Sequence, residues 1–219
     1  MAYSIYVFDA YGTLFDVHAA VRKHAEAMGP DAQLLSELWR AKQLEYSWML
    51  SLMGRYRDFW ALTQDALDYA LERVPTADKS KRDSLLDAYW SCDCYGDVPE
   101  LFKQLKQRGA RLAILSNGSP KMLDAAIANA GIGDSLDEVI SVDEVKIYKP
   151  HPSVYDLVTT RFRAFPEAIS FQSSNRWDAA GATAYGFRSV WINRNAMPEE
   201  YHDMRPAAVL PNLTGLLAL

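Results

Sequence analysis

Tyr6-Val7-Phe8-Asp9-Ala10-Tyr11-Gly12-Thr13-Leu14-Phe15-Asp16 decides how this chain is read. An apolar, aromatic run leads straight into one carboxylate, and a Gly-Thr turn follows it. A short apolar run bounded by turn residues predicts a buried strand, here one that delivers Asp9 to its C-terminal end. In an open α/β sheet that end faces the ligand crevice.

Outward from this stretch the chain changes character twice. From Val17 to about Trp90, apolar residues recur at helical spacing: Leu34-Leu35-Leu38, Trp39-Gln43-Tyr46-Leu50, Phe59-Leu62-Ala66-Tyr69-Ala70 and Leu85-Leu86-Tyr89-Trp90. Pro30 and Pro75 punctuate the pattern. After Gly96, Pro99 opens a predicted helix with Leu101, Phe102 and Leu105 on its face, and Gly109 ends it. A strand from Arg111 then runs into Ser116-Asn117-Gly118. Helix 120–130, strand 138–141, Lys149-Pro150 and helix 152–163 follow. A strand from Ile169 enters Ser173-Ser174-Asn175, Asp178 opens a further helix, and strands 189–193 and 208–210 close the pattern. Alternating strands and helices favour βαβ units and a parallel sheet. The expected fold class is α/β: a Rossmann-like parallel-sheet core with helices on both faces, residues 1–15 and 93–219, plus an all-helical cap, 16–92, inserted after strand 1. A cap above the strand ends encloses a site and excludes water.

With 219 residues, 49% of them hydrophobic, the chain can bury one sizeable core and a small satellite. Net charge is -5 and the basic residues are scattered, so no nucleic-acid partner is expected. No apolar run approaches the roughly 20 residues of a membrane span. Met1-Ala2-Tyr3-Ser4 carries neither a basic n-region nor a cleavage site, so a cytoplasmic protein is expected. Cys92 and Cys94 stand one residue apart, poorly placed for a disulfide and without partners for a metal site; they read as ordinary thiols in a reducing cytosol.

Four polar clusters each follow a predicted strand: Asp9-Ala10-Tyr11-Gly12-Thr13, Ser116-Asn117-Gly118, Lys149-Pro150, and Ser173-Ser174-Asn175-Arg176-Trp177-Asp178. A lone Asp or Lys is usually surface decoration. Four clusters converging on one edge of a parallel sheet are a site.

These motifs, in this order and across nearly the whole chain, resemble the haloacid dehalogenase superfamily, and within it the L-2-haloacid dehalogenases. Phosphatases of that superfamily carry a second Asp where Tyr11 stands, and acidic metal ligands where Ser173-Ser174-Asn175 stand. Tyr11 cannot protonate a leaving oxygen in the geometry of that Asp. A hard cation held by few carboxylates binds weakly. A halide leaves as an anion and needs neither acid nor metal. The resemblance therefore implies hydrolysis of (S)-2-haloacids to (R)-2-hydroxyacids with inversion, through an Asp9 ester and with no cofactor or metal.

The resemblance also implies roles. Lys149 holds Asp9 ionised. Asp178 positions or deprotonates the hydrolytic water, with Ser173 and Asn175 orienting it. Thr13 hydrogen-bonds the nucleophile, and Tyr155 contacts Lys149 and Asp9. Ser116 and the backbone of Ala10, Tyr11 and Asn117 receive the substrate carboxylate. Arg40, assisted by Asn117, takes the halide, while Leu44, Phe59 and Trp177 wall the alkyl group. The implied partners are the 2-haloalkanoate, the released halide and a second copy in a homodimer. Asp178 also reads as the N-cap of the helix it opens. Gln172 and Arg176 depart from the pattern, since apolar or small residues are expected there. Arg176 brings a cation near Asp178, either pointing outward or tuning substrate preference. Three other readings stay open: a Mg²⁺-dependent phosphatase, a haloacetate- or fluoroacetate-preferring dehalogenase, and a non-catalytic carboxylate binder.

Overall fold

β1 (Ile5–Phe8) lies at the centre of a six-stranded parallel sheet, buried at every position. The computed structural model describes residues 3–219; Met1 and Ala2, the start of the stretch read for an export signal, lie outside the described residues. β1 is flanked by β2 (Arg111–Ser116) and β4 (Ile169–Ser173), with Phe8 in register with Ile114 and Gln172. The order is β3 (Glu138–Ser141), β2, β1, β4, β5 (Arg188–Ile192), β6 (Ala208–Leu210). β2 and β3 step away from β1 on one side, and β4 to β6 on the other. The carboxyl end of β1 is therefore the switch point at which such sheets bind ligands. Strands buried on both faces read as continuous apolar runs, which is why Ile5–Phe8 stood out without alternation.

Immediately after β1 the chain folds back on itself. The carbonyl of Ala10 accepts the N–H groups of Leu14 (2.8 Å) and Phe15 (3.0 Å), and Gly12 donates to the Phe15 carbonyl at 2.7 Å. Gly12 has φ +96°, a conformation side-chain-bearing residues rarely adopt. This turn sets Thr13 four residues beyond Asp9 and facing it.

Between β1 and β2 lies a helical block: α1 (Ala19–Lys23), α2 (Ala25–Met28), α3 (Ala32–Leu52), α4 (Phe59–Arg73) and α5 (Arg82–Trp90). The helical stretch expected over 17–90 is thus broken into five helices. Asp58 starts α4 by accepting the N–H groups of Trp60 (3.0 Å) and Ala61 (3.1 Å), a side-chain cap for donors the helix leaves orphaned. One apolar cluster runs from Phe8 and Ile114 of the sheet through Phe15 to Leu35, Leu62 and Leu85 of the block.

α6 (Val98–Gln107), α7 (Pro120–Ala130), α8 (Pro152–Phe162) and α9 (Arg176–Tyr185) complete the βα units. α8 stops one residue early because Arg163 turns left-handed, at φ +50°. α9 begins two residues before Asp178, so Asp178 does not cap it; Asn175 holds that position. Among the described residues, no helix is long and apolar enough to cross a membrane.

Candidate active site

Asp9 is 6% exposed, and its two oxygens are treated differently. Oδ2 accepts from Asn175 Nδ2 (2.8 Å), Thr13 Oγ1 (3.0 Å) and, at 3.4 Å, Ser173 Oγ. Among the described residues, Oδ1 accepts only Lys149 Nζ, at 3.0 Å. A carboxylate oxygen offers about two lone-pair sites. Oδ2 is saturated, and Oδ1 keeps the available pair. The Asp9 N–H continues the ladder to the Gln172 carbonyl (2.9 Å), and the Ser174 N–H holds Thr13 Oγ1 (2.7 Å), so the carboxylate has little freedom to turn.

Lys149 is 1% exposed and bridges Asp9 Oδ1 to Asp178 Oδ2, the latter at 2.9 Å. It sits eight residues past β3, and the Asn117 side-chain carbonyl holds its loop by accepting the Lys149 N–H at 3.0 Å. Burial opposes the ammonium charge, but Asp178 and Asp9 outweigh it and raise the Lys149 pKa above the ordinary lysine value. Asp178 is 0% exposed, and burial pushes its carboxyl up to about 6 against the pull of Lys149. That value suits a group that must take a proton near neutral pH. Tyr155 Oη donates to Asp178 Oδ1 at 2.8 Å. Of the three groups around Lys149, Tyr155 hydrogen-bonds Asp178, and Asp178 in turn pairs with Lys149.

α8 and α9 must approach closely for that bond. A methyl group added at Gly181 would lie 2.5 Å from Tyr155 Oη and 2.6 Å from Pro150 Cβ. The donor set does not fit a divalent cation. Both carboxylates are committed to Lys149, and Ser173 and Asn175 are neutral. Among the described residues, no group of three His, Cys, Asp or Glu side chains is placed to hold a metal.

In front of Asp9 is a cavity of about 10 Å³, room for roughly one water. Tyr11, Arg40, Leu44, Phe59, Ser116, Asn117 and Trp177 line it with Asp9 and Asn175, so helices α3 and α4 close over the strand ends. Ala10 does not reach it; its carbonyl serves the turn. Ser116 Oγ accepts the Gly118 N–H at 3.0 Å, which leaves its own proton for an anion. Arg40 donates to Gln43 Oε1 (2.6 Å), the Tyr11 carbonyl (3.1 Å) and Asn175 Oδ1 (3.5 Å). All three are neutral, and among the described residues no carboxylate pairs with Arg40. Its charge stays available to an anion in the cavity.

The two departures from pattern are structural. Gln172 is buried in β4, and its amide donates to Ser170 Oγ at 2.6 Å. Arg176 neither points outward nor reaches the cavity. It is 4% exposed, pairs with Glu199 (2.6 Å), and donates to the carbonyls of Tyr201 (3.1 Å) and Met204 (2.9 Å). It straps the segment after β5 to the start of α9. Ser173 and Asn175, expected to orient water, both donate to Asp9 Oδ2, beside the carbon that water would attack. Two positions went unread in the sequence. Arg194 pairs with Asp97 through both terminal nitrogens at 3.0 Å and donates to the Thr13 carbonyl at 3.0 Å, bracing the turn from below; nothing local marks it. Gln43 holds Arg40, and its signal was present: a polar residue inside the apolar stripe of α3.

A carboxylate at the end of β1, a lysine bridging it to a second carboxylate, and a helical cover are the features of one class of hydrolase. The chain belongs to the haloacid dehalogenase-like hydrolases, which match it over residues 3–186. Within that class it is 48% identical to (S)-2-haloacid dehalogenase 1 of Pseudomonas sp. (strain CBS-3), over 94% of each chain. It superposes on a dehalogenase crystal structure with TM-score 0.96 and 43% identity, covering 99% of this chain and 96% of that one. The L-2-haloacid dehalogenase from Xanthobacter autotrophicus with chloropropionic acid covalently bound gives TM-score 0.88 at 37% identity, covering 100% and 98%.

Proposed function

We propose that this chain hydrolyses (S)-2-haloacids to (R)-2-hydroxyacids, with Asp9 as a covalent nucleophile. The carrying observation is the asymmetry at Asp9: three donors hold Oδ2, while Oδ1 faces one lysine and keeps a lone pair. Oδ1 attacks C2 in line, the carbon–halogen bond breaks, and the halide departs with the electron pair toward Arg40. The substrate carboxylate lies on Ser116 and nearby backbone N–H groups. Leu44, Phe59 and Trp177 exclude water from the alkyl group. Water then adds to the Asp9 carbonyl carbon and gives its proton to Asp178. Tetrahedral collapse breaks the bond to the C2 oxygen, the added hydroxyl's proton passes to that oxygen, and Asp9 returns as the carboxylate with the hydroxyacid inverted once at C2; Asp178 then gives its proton to solvent. Lys149 offsets the charge on Asp9 and on the tetrahedral oxygen.

Neutral residues where a metal-dependent relative needs acids support a metal-independent reaction. The unpaired thiols Cys92 and Cys94 support a cytoplasmic setting, and burial pushes both up to about 12, away from reactivity. An apolar groove of about 750 Å³ beside Trp48, Leu52 and Tyr185 supports a homodimer. Racemic 2-chloropropionate in EDTA is the test, read as chloride and as lactate chirality. Chloride matched by (R)-lactate, stopping at half conversion, is expected. Chloride release at the rate without enzyme, or only with Mg²⁺, would sink the proposal.

A further inference from the structure

Gln43 has no part in the chemistry above, yet its amide is fully committed and 1% exposed. It lies three residues after Arg40 on α3. Oε1 accepts Arg40 at 2.6 Å, and Nε2 donates to Thr63 Oγ1 (2.6 Å) and Tyr89 Oη (3.0 Å). The orientation of that amide is dictated from behind. Thr63 gives its only hydroxyl proton to the Phe59 carbonyl at 2.7 Å, so toward Gln43 it can only accept. The amide nitrogen must therefore face Thr63, and the oxygen is left for Arg40. Trp39 Nε1 anchors the same turn by donating to the Thr63 carbonyl at 2.8 Å. A polar network buried between α3, α4 and α5 is costly unless every member is satisfied.

What distinguishes this support is its neutrality. A carboxylate at residue 43 would grip the guanidinium more strongly but cancel its charge. An amide fixes direction and leaves the charge free. We infer that Gln43 is the positioning residue that aims Arg40 at the departing halide, with Thr63 and Tyr89 setting the face its amide presents. This rests on the reading of Arg40 as the halide donor.

The test uses the full chain with 2-chloropropionate, and bromide as a competing anion. Gln43→Glu is nearly isosteric and forms a buried pair with Arg40, but it sets a carboxylate oxygen against Thr63 Oγ1, so its melting temperature is read beside its kinetics. It is expected to lower kcat about tenfold or more with KM within about twofold, because halide stabilisation grows in the transition state. Bromide inhibition is expected to weaken about tenfold. Arg40→Lys combined with Gln43→Glu is expected to lose little beyond Arg40→Lys alone, since the two act through one group. Should Gln43→Glu fold poorly, Thr63→Val removes the acceptor that orients the amide and is expected to weaken bromide inhibition about threefold, with Thr63→Ser restoring it. Wild-type kcat and bromide inhibition in Gln43→Glu, or full additivity with Arg40→Lys, would overturn the inference. If Arg40→Lys alone leaves bromide inhibition unchanged, the halide reading of Arg40 is wrong and this inference fails with it.

Discussion

Replacing Tyr155 with Phe removes one oxygen and its two hydrogen bonds to Asp178, 2.8 Å to Oδ1 and 3.3 Å to the backbone carbonyl. The ring keeps its edge-to-face contacts with Phe171 and Phe187, both at 5.9 Å. Burial is what pushes Asp178 up to about 6, and the Tyr155 bond opposes it by favouring the ionised form. Removing that bond therefore raises the Asp178 pKa further. A hydrogen bond to a charged group contributes about 1.5–3 kcal/mol. At about 1.4 kcal/mol per unit, that is a shift of about 1–2 units. Asp178 must be ionised to take the proton of water, so kcat rises with pH through its pKa. The acidic limb should move from near 6 to about 7–8 in Tyr155→Phe, with rates converging on wild type above about pH 9. Chloride release at saturating substrate from pH 5 to 10 reads this directly. A limb that stays in place, or a loss of equal size at every pH, would refute the argument that Tyr155 works through Asp178.

The other predictions follow from the same geometry. Gly181→Ala should drive α9 off α8, cost about 1–3 kcal/mol of stability, and shift the acidic limb in the same sense as Tyr155→Phe; an unchanged melting temperature counts against the close approach. Arg176→Leu should leave the Tyr201 and Met204 carbonyls unpaired and lower the urea midpoint by the equivalent of about 1–3 kcal/mol, while kcat at pH 8 holds; a large loss of kcat in folded protein would make Arg176 part of the chemistry instead. Exhaustive EDTA treatment, followed by Mg²⁺, should alter kcat by less than about twofold, because the Lys149 ammonium already occupies the place between the two carboxylates. Strong Mg²⁺ dependence would contradict the donor set.

Asp9 was legible because a parallel central strand is an unbroken apolar run, and its end is chemically marked by the polar turn. Leu44 and Phe59 were legible only through resemblance, since apolar residues at helical spacing look alike whether they face a core or a cavity. What escaped was direction and non-local pairing. Asp178 resembles a helix cap in one dimension. In the fold its carboxylate is drawn to Lys149 and Tyr155, and the helix starts two residues earlier. Arg176 finds Glu199 23 residues later, and Arg194 finds Asp97 97 residues earlier; neither spacing follows a helix or strand period. Gln43 stands among the apolar residues of α3, where an amide at a buried position marks a network.

The central claim is the ester at Asp9, and isotope tracing reaches it most directly. Excess enzyme is mixed with (S)-2-chloropropionate in H₂¹⁸O for a single turnover, and both product and peptide are weighed. If Asp9 attacks C2 and water attacks Asp9, the released lactate carries ordinary oxygen at C2 and ¹⁸O appears in the peptide that contains Asp9. Lactate labelled at C2 in that first turnover, with an unlabelled Asp9 peptide, would mean that water attacks the substrate directly and that Asp9 is only a base.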